Sequence, residues 1–162
     1  MWGRKQKVML SAGHTAPAFQ LTQLKGGRKS LEEILEKGPA LLVFYKISCP
    51  VCQLTAPYLE RLAGGQKLQV IGISQDNASS TQSFNQRFGV TYPTLLDEHD
   101  NGYAASNAFG ISSVPSLFLV EQDGNIATAF NGFSKQDIAA LAERAGRPVF
   151  RPEDNVPEWK AG

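Results

Sequence analysis

The chain has 162 residues, 42% of them hydrophobic and 19% charged, enough for one domain with a sizeable core and too apolar for a disordered polymer. A net charge of +1 without long basic or acidic blocks gives no footing for nucleic acid or a charged membrane surface. No apolar run reaches the roughly 18–20 residues of a membrane span, and the basic stretch from Met1 to Leu10 lacks a signal peptide's apolar core. The expected location is therefore cytoplasmic, or periplasmic if a leader or anchor has been trimmed.

In chain order, Ala18-Phe19-Gln20-Leu21 reads as a short strand and Lys25-Gly26-Gly27 as a turn. Ser30-Leu31-Glu32-Glu33 fits a capping box, in which the Ser side chain caps the Glu33 amide while Glu33 reaches back. Gly38-Pro39 stops that short helix, and Ala40 to Tyr45 follows as a continuous apolar strand of the kind buried on both faces. Gln53 to Ala63 is helix-like, with Leu54, Tyr58 and Leu62 on one face and Pro57 predicting a kink. Leu68 to Ser74 is a strand, and a helix from Ser79 runs to Phe88-Gly89. Tyr92 to Leu96 is a short strand, and Asn101 to Phe109 a short helix closed by Gly110. Ser116 to Val120 and Ile126 to Phe130 flank Asp123-Gly124, a hairpin signal. Ser134 caps a last helix to Ala145, with Ile138, Leu141, Ala142 and Ala145 inward. The order β-α-β-α-β-α-β-β-α predicts an α/β fold: a mixed central sheet with helices on both faces. Residues 1–146 form the domain, and the polar, proline-punctuated 147–162 an extended or mobile tail.

The only two cysteines stand in Cys49-Pro50-Val51-Cys52, between the apolar strand and the helix. Two cysteines do not make a disulfide framework, and C-x-x-C beside a β-α pattern points to redox chemistry. At a helix start, unpaired amides and the helix dipole stabilise a Cys49 thiolate. Cys52, one turn on, can close a disulfide onto it. Lys46 could lower the Cys49 pKa further or be a solvated loop charge; Tyr45 could line the site or fill the core. An inert pair or a metal site are the alternatives. Zinc needs about four ligands, while His14 and His99 lie far from the motif. No flavin, nicotinamide or other cofactor signature is present: Gly26-Gly27 and Gly64-Gly65 read as turns. Asp76 and Asp97 end strands and are expected to cap turns.

With these residues in place the chain resembles the thioredoxin superfamily, in the branch of TlpA-like thiol–disulfide oxidoreductases and AhpC/TSA redoxins. The resemblance rests on the strand–Cys49-Pro50-Val51-Cys52–helix unit, on Pro57, on Val114-Pro115 before a strand, and on Ala16-Pro17-Ala18-Phe19-Gln20-Leu21. It implies a thioredoxin-like fold and a dithiol that exchanges with protein dithiols or disulfides, recharged by an upstream thiol reductase in a monomeric enzyme. Val114 and a cis Pro115, with Pro50 and Val51, would form the substrate edge. The chain also departs from these families. Ser48 replaces the tryptophan before the first cysteine, and Val43 stands where thioredoxins carry a buried acid. The peroxiredoxin spacing around the cysteine is absent, and Val114-Pro115-Ser116 stands where its site arginine is expected. Thiol-dependent peroxidase activity and a non-catalytic binding module remain as alternatives.

Overall fold

The computed structural model describes residues 8–65 and 67–162; the N-terminal reading from Met1 to Lys7 lies outside them. Its architecture starts from Ala40–Tyr45 (β3), whose six side chains are all buried. Because a strand's side chains alternate, β3 feeds two cores. Leu41, Val43 and Tyr45 enter one, and Ala40, Leu42 and Phe44 the other. The first core is closed by Pro50–Ala63 (α2), Ala78–Phe88 (α3) and Lys135–Ala145 (α5). The second is closed by Leu31–Glu36 (α1) and Ala104–Ala108 (α4).

The sheet has seven strands in the order β2-β1-β5-β4-β3-β6-β7. Its parallel heart is β3, Gln69–Ser74 (β4) and Thr94–Leu96 (β5). The hairpin of Ser116–Val120 (β6) and Ile126–Asn131 (β7) adds antiparallel strands beside β3. Gln20–Gln23 (β1) and Arg28–Ser30 (β2) form an N-terminal hairpin on the far edge. Parallel pairing across β3, β4 and β5 requires the crossovers that α2 and α3 supply. The sheet places the C-terminal end of β3 beside the loop that precedes β6, where both meet the start of α2.

Local signals account for the element ends. Ser30 and Glu33 form the reciprocal capping box at α1. Asn77 caps α3, whose first residue, Ala78, lies one before the expected start, and Gly89 ends it in the left-handed conformation. The helix expected over 101–109 divides into a 3-10 turn at His99–Asn101 and α4, with Tyr103 at φ 50° between them. The buried Asp97 organises this break. Its carboxylate accepts from the Asn101 side chain at 2.9 Å, the Ala105 amide at 3.1 Å, and the Ser106 amide and hydroxyl at 2.6 Å each.

Two further expectations are refined. The helix expected from Gln53 begins at Pro50, so Val51, Cys52, Thr55, Ala56 and Leu59 join Leu62 as its buried residues, while Leu54 and Tyr58 of the expected face are partly buried at the margin of the first core. The segment after α5 covers Tyr58. Residues 147–162, expected to be extended or mobile, lie docked along α2 and Phe133–Ser134. Val149 is buried, and the Phe150 ring sits 5.1 Å from Tyr58 and 6.1 Å from Phe133. Arg61 reaches Asp154 through two bonds, at 2.7 and 3.2 Å, and donates to the Val149 carbonyl at 3.0 Å. A fork-to-fork guanidinium–carboxylate pair fixes orientation as well as distance. Beyond it, Trp159–Lys160 (β9) pairs antiparallel with Phe133–Ser134 (β8).

Asp97→Ala removes the acceptor of four donors in a closed site. We expect a loss of about 3 kcal/mol, from the cost of leaving buried donors unpaired, read as a lower urea midpoint with an unchanged denaturant slope.

Candidate active site

The Lys46–Cys49 turn carries the chain from β3 into α2. Three contacts hold it: the Asp76 carboxylate accepts from the Ile47 amide at 2.8 Å, the Gln53 side chain donates to the Ile47 carbonyl at 3.1 Å, and the Cys49 amide donates to the Lys46 carbonyl at 3.3 Å. Asp76 thus pins a turn, as its position at the end of β4 led us to expect. Its partner could not be read from sequence, because the two residues lie on different crossovers.

Cys49 is the N-cap of α2, and Pro50 occupies the first turn, where a missing N–H costs nothing and the fixed φ suits a helix. The Cys49 Sγ accepts from the Cys52 amide at 3.1 Å, filling the role that a serine or aspartate oxygen fills in most caps. Both cysteines are free thiols, with Cys49 half-buried and Cys52 buried at 3% exposure. Cys49 also donates its S–H to the Val114 carbonyl at 3.3 Å.

This asymmetry splits the two acidities. The Cys49 pKa falls to about 6: the hydrogen bond from the Cys52 thiol is the largest cause, burial opposes it, and the amides of Cys52 and Val51 add to the lowering. The Cys52 thiol moves far upward, chiefly through burial and then through its bond to Cys49. Near neutral pH the pair therefore holds one thiolate, on the reachable sulfur. That is the pattern of a reactive rather than a structural cysteine.

The other expected site residues divide. Val114-Pro115 is a cis peptide, and its Val114 carbonyl faces Cys49 directly. Pro50 is exposed, but the Val51 side chain is buried in the first core, so only its backbone is left to meet a substrate. Lys46 is exposed at the mouth and is not among the groups that depress Cys49. Tyr45 fills the core: it is buried, donates to Asn85 Oδ1 at 2.8 Å and packs on Phe84 at 5.1 Å. Its phenol pKa rises, mainly through burial. A polar cavity of about 260 Å³ opens beside Val114, lined among others by Lys46, Gln75, Tyr103 and Ser113. Among the described residues no three His, Cys, Asp or Glu side chains gather to hold a metal, and no helix is long and apolar enough to cross a membrane.

A strand–C-x-x-C–helix unit facing a cis proline invites comparison with known proteins. The AhpC/TSA family model matches residues 12–129. The chain belongs to the AhpC/TSA family. Among its relatives is the thiol-disulfide oxidoreductase ResA of Geobacillus kaustophilus, 32% identical over 138 residues that cover 82% of this chain and 77% of that one. Among solved structures, the thioredoxin domain of a thiol-disulfide oxidoreductase from Bacteroides vulgatus superposes with a TM-score of 0.74. It is 22% identical, covering 83% of this chain and 97% of that one. DsbF of Mycobacterium tuberculosis superposes at 0.67 with 26% identity, covering 79% and 92%. The fold is that of thioredoxin, in the redoxin branch.

Alkylation of Cys49 by iodoacetamide should follow its thiolate. The rate rises with pH and levels off above about 6, not above the ordinary thiol value of about 8.5. Cys52→Ala deletes the largest stabilising contact, so the midpoint moves upward. An unmoved midpoint would mean that the backbone amides alone set it.

Proposed function

We propose that in this thiol–disulfide oxidoreductase Cys49 is the nucleophile and Cys52 the resolving thiol, acting on protein disulfides. The observation that carries the reading is the division of the pair at the start of α2. One sulfur is reachable, with a lowered pKa, and the other is buried with a raised one. The Cys49 thiolate attacks a substrate sulfur, a Cys49–substrate disulfide forms, and the other substrate sulfur leaves as a thiolate that takes up a proton. Cys52 then loses its proton and attacks Cys49 Sγ, releasing the second substrate thiol. The substrate gains two electrons and the enzyme pair loses them.

The second step is possible although Cys52 starts with a high pKa. Part of that elevation is its bond to Cys49 and the charge there. A mixed disulfide removes that charge, so the resolving thiol becomes easier to ionise when it is needed. The position of the thioredoxin acid is Val43, which is buried in the core, so no carboxylate assists from there.

The Val114 carbonyl, within reach of Cys49 Sγ, supplies a backbone acceptor to an extended substrate strand. The polar cavity beside it receives a neighbouring side chain. Since each turnover leaves the enzyme oxidised, an upstream thiol reductase must return the pair to the dithiol. The uncharged Pro50-Val51 pair adds no further pull on the thiolate and favours a reductant or general exchanger over a strong oxidant.

Cys49→Ser should abolish turnover of a protein disulfide. Cys52→Ser should keep the first step and accumulate a mixed disulfide at Cys49, visible as a non-reducing gel shift and as an added mass. A Cys52→Ser protein that forms no adduct with any protein disulfide would contradict the exchange mechanism.

A further inference from the structure

The docked segment does more than cover α2. Past the Arg61–Asp154 anchor it runs beside β8, where the Lys135 amide donates to the Glu158 carbonyl at 3.0 Å. It then reaches the loop that faces Cys49. A Cβ placed on Gly162 would overlap the Val114 carbonyl and come within 3.3 Å of Pro115 Cδ. A Cβ on Gly132, at φ 76°, would lie 2.5 Å from the Lys160 carbonyl. Gly132 in turn donates its amide to the Pro115 carbonyl at 2.8 Å. Two glycines, one on each side of the contact, thus let the backbone of 160–162 close on the Val114-Pro115 edge. Pro115 is buried, although the proposed reaction needs this edge open to a substrate strand.

We propose that residues 159–162 form an intramolecular strap that lies in the place of an extended substrate, so that a protein disulfide must displace it while a small disulfide reaches Cys49 with the strap in place. The inference rests on the oxidoreductase reading above. The strap is built to yield. β9 has two residues, both exposed, and Trp159 is 60% exposed, and a strand pair this short has little stability of its own. Its upstream anchors are stronger. Val149, Phe150 and the Arg61–Asp154 pair hold the chain close enough to rebind at high effective concentration. A competing substrate therefore wins only by offering more contacts than four residues of strap.

The test uses the full chain with Gly162→Val, whose side chain cannot fit against the Val114 carbonyl, and separately Lys160→Pro, which removes a backbone donor from β9. The reduced proteins are mixed with insulin as the protein disulfide and with hydroxyethyl disulfide as the small one. The strap predicts a several-fold faster reaction of both variants with insulin and an unchanged rate with hydroxyethyl disulfide. Unchanged or slower insulin reduction, with hydroxyethyl disulfide still turning over, overturns the strap and leaves the oxidoreductase reading standing. Equal acceleration with both disulfides also overturns it, since the segment would then shield Cys49 in general. If the wild type reacts with neither, the oxidoreductase reading fails and the strap with it. A measurement without strap variants gives the same decision: hydrogen exchange of 159–162 in Cys52→Ser, before and after Cys49 is joined to a cysteine-containing peptide. Loss of protection on joining supports displacement, and retained protection rules it out.

Discussion

Cys49 is the cap of its own helix, and the chemistry of the site depends on that placement. A cap must accept a hydrogen bond from an amide of the first turn, so the sulfur is drawn in to the Cys52 N–H at 3.1 Å. The same requirement sets Cys52 in the first turn, facing the core, where burial keeps its proton on. From there the Cys52 thiol donates to Cys49, the largest cause of the lowered Cys49 pKa, and with the cap amide and the burial of Cys52 it divides two chemically identical thiols into a donor and an acceptor. The division holds only if the turn before Cys49 cannot drift, which explains why Asp76 and Gln53 both grip Ile47. β3 in turn is fixed by burial on both faces, so the precision of the sulfur traces back through a short turn to a strand buried along its whole length.

The fold was legible because its determinants are local. The continuous apolar run of β3, the Ser30–Glu33 box, Gly89 and Gly146 at helix ends and the Asp123-Gly124 turn each act within a few residues. The motif was legible for the same reason, since a C-x-x-C between a buried strand and a helix says where both sulfurs lie. The readings that changed involve long-range contacts. Leu62 of the expected α2 face is buried, but the buried side also takes in Val51, Cys52, Thr55, Ala56 and Leu59, while Tyr58 packs on the distant Phe150. Tyr45 had no sequence signal to separate core from site, and its bond to Asn85 spans 40 residues. Val51 adjoins the reactive sulfur in sequence but turns inward with the first helical turn.

The terminal segment shows the limit most clearly. Its polarity and prolines suggested an extended or mobile tail, while Val149, Phe150 and Asp154 are scattered apolar and acidic residues with no periodicity of their own. Their meaning depends on Arg61 and Tyr58, some 90 residues earlier. Gly132 and Gly162 gave no hint from sequence, because a glycine that admits a neighbouring backbone looks like any turn glycine until the neighbour is seen. The docked segment and the cysteine pair share one helix: α2 carries Cys49 at its start and the tail's anchor, Arg61, near its end.

The proposed exchange requires that Cys49 and Cys52 form one reversible two-electron couple whose thiolate is moderately, not extremely, stabilised. Its most direct test is the reduction potential of the pair, by equilibration in glutathione and dithiothreitol buffers. A Cys49 pKa of about 6 lies just below the value of about 7 for thioredoxin and well above about 3.5 for DsbA. The account therefore predicts a potential somewhat above about −270 mV and well below about −120 mV. A value at or above about −120 mV would contradict the electrostatic account of the site, and the absence of any reversible couple would contradict the claim itself.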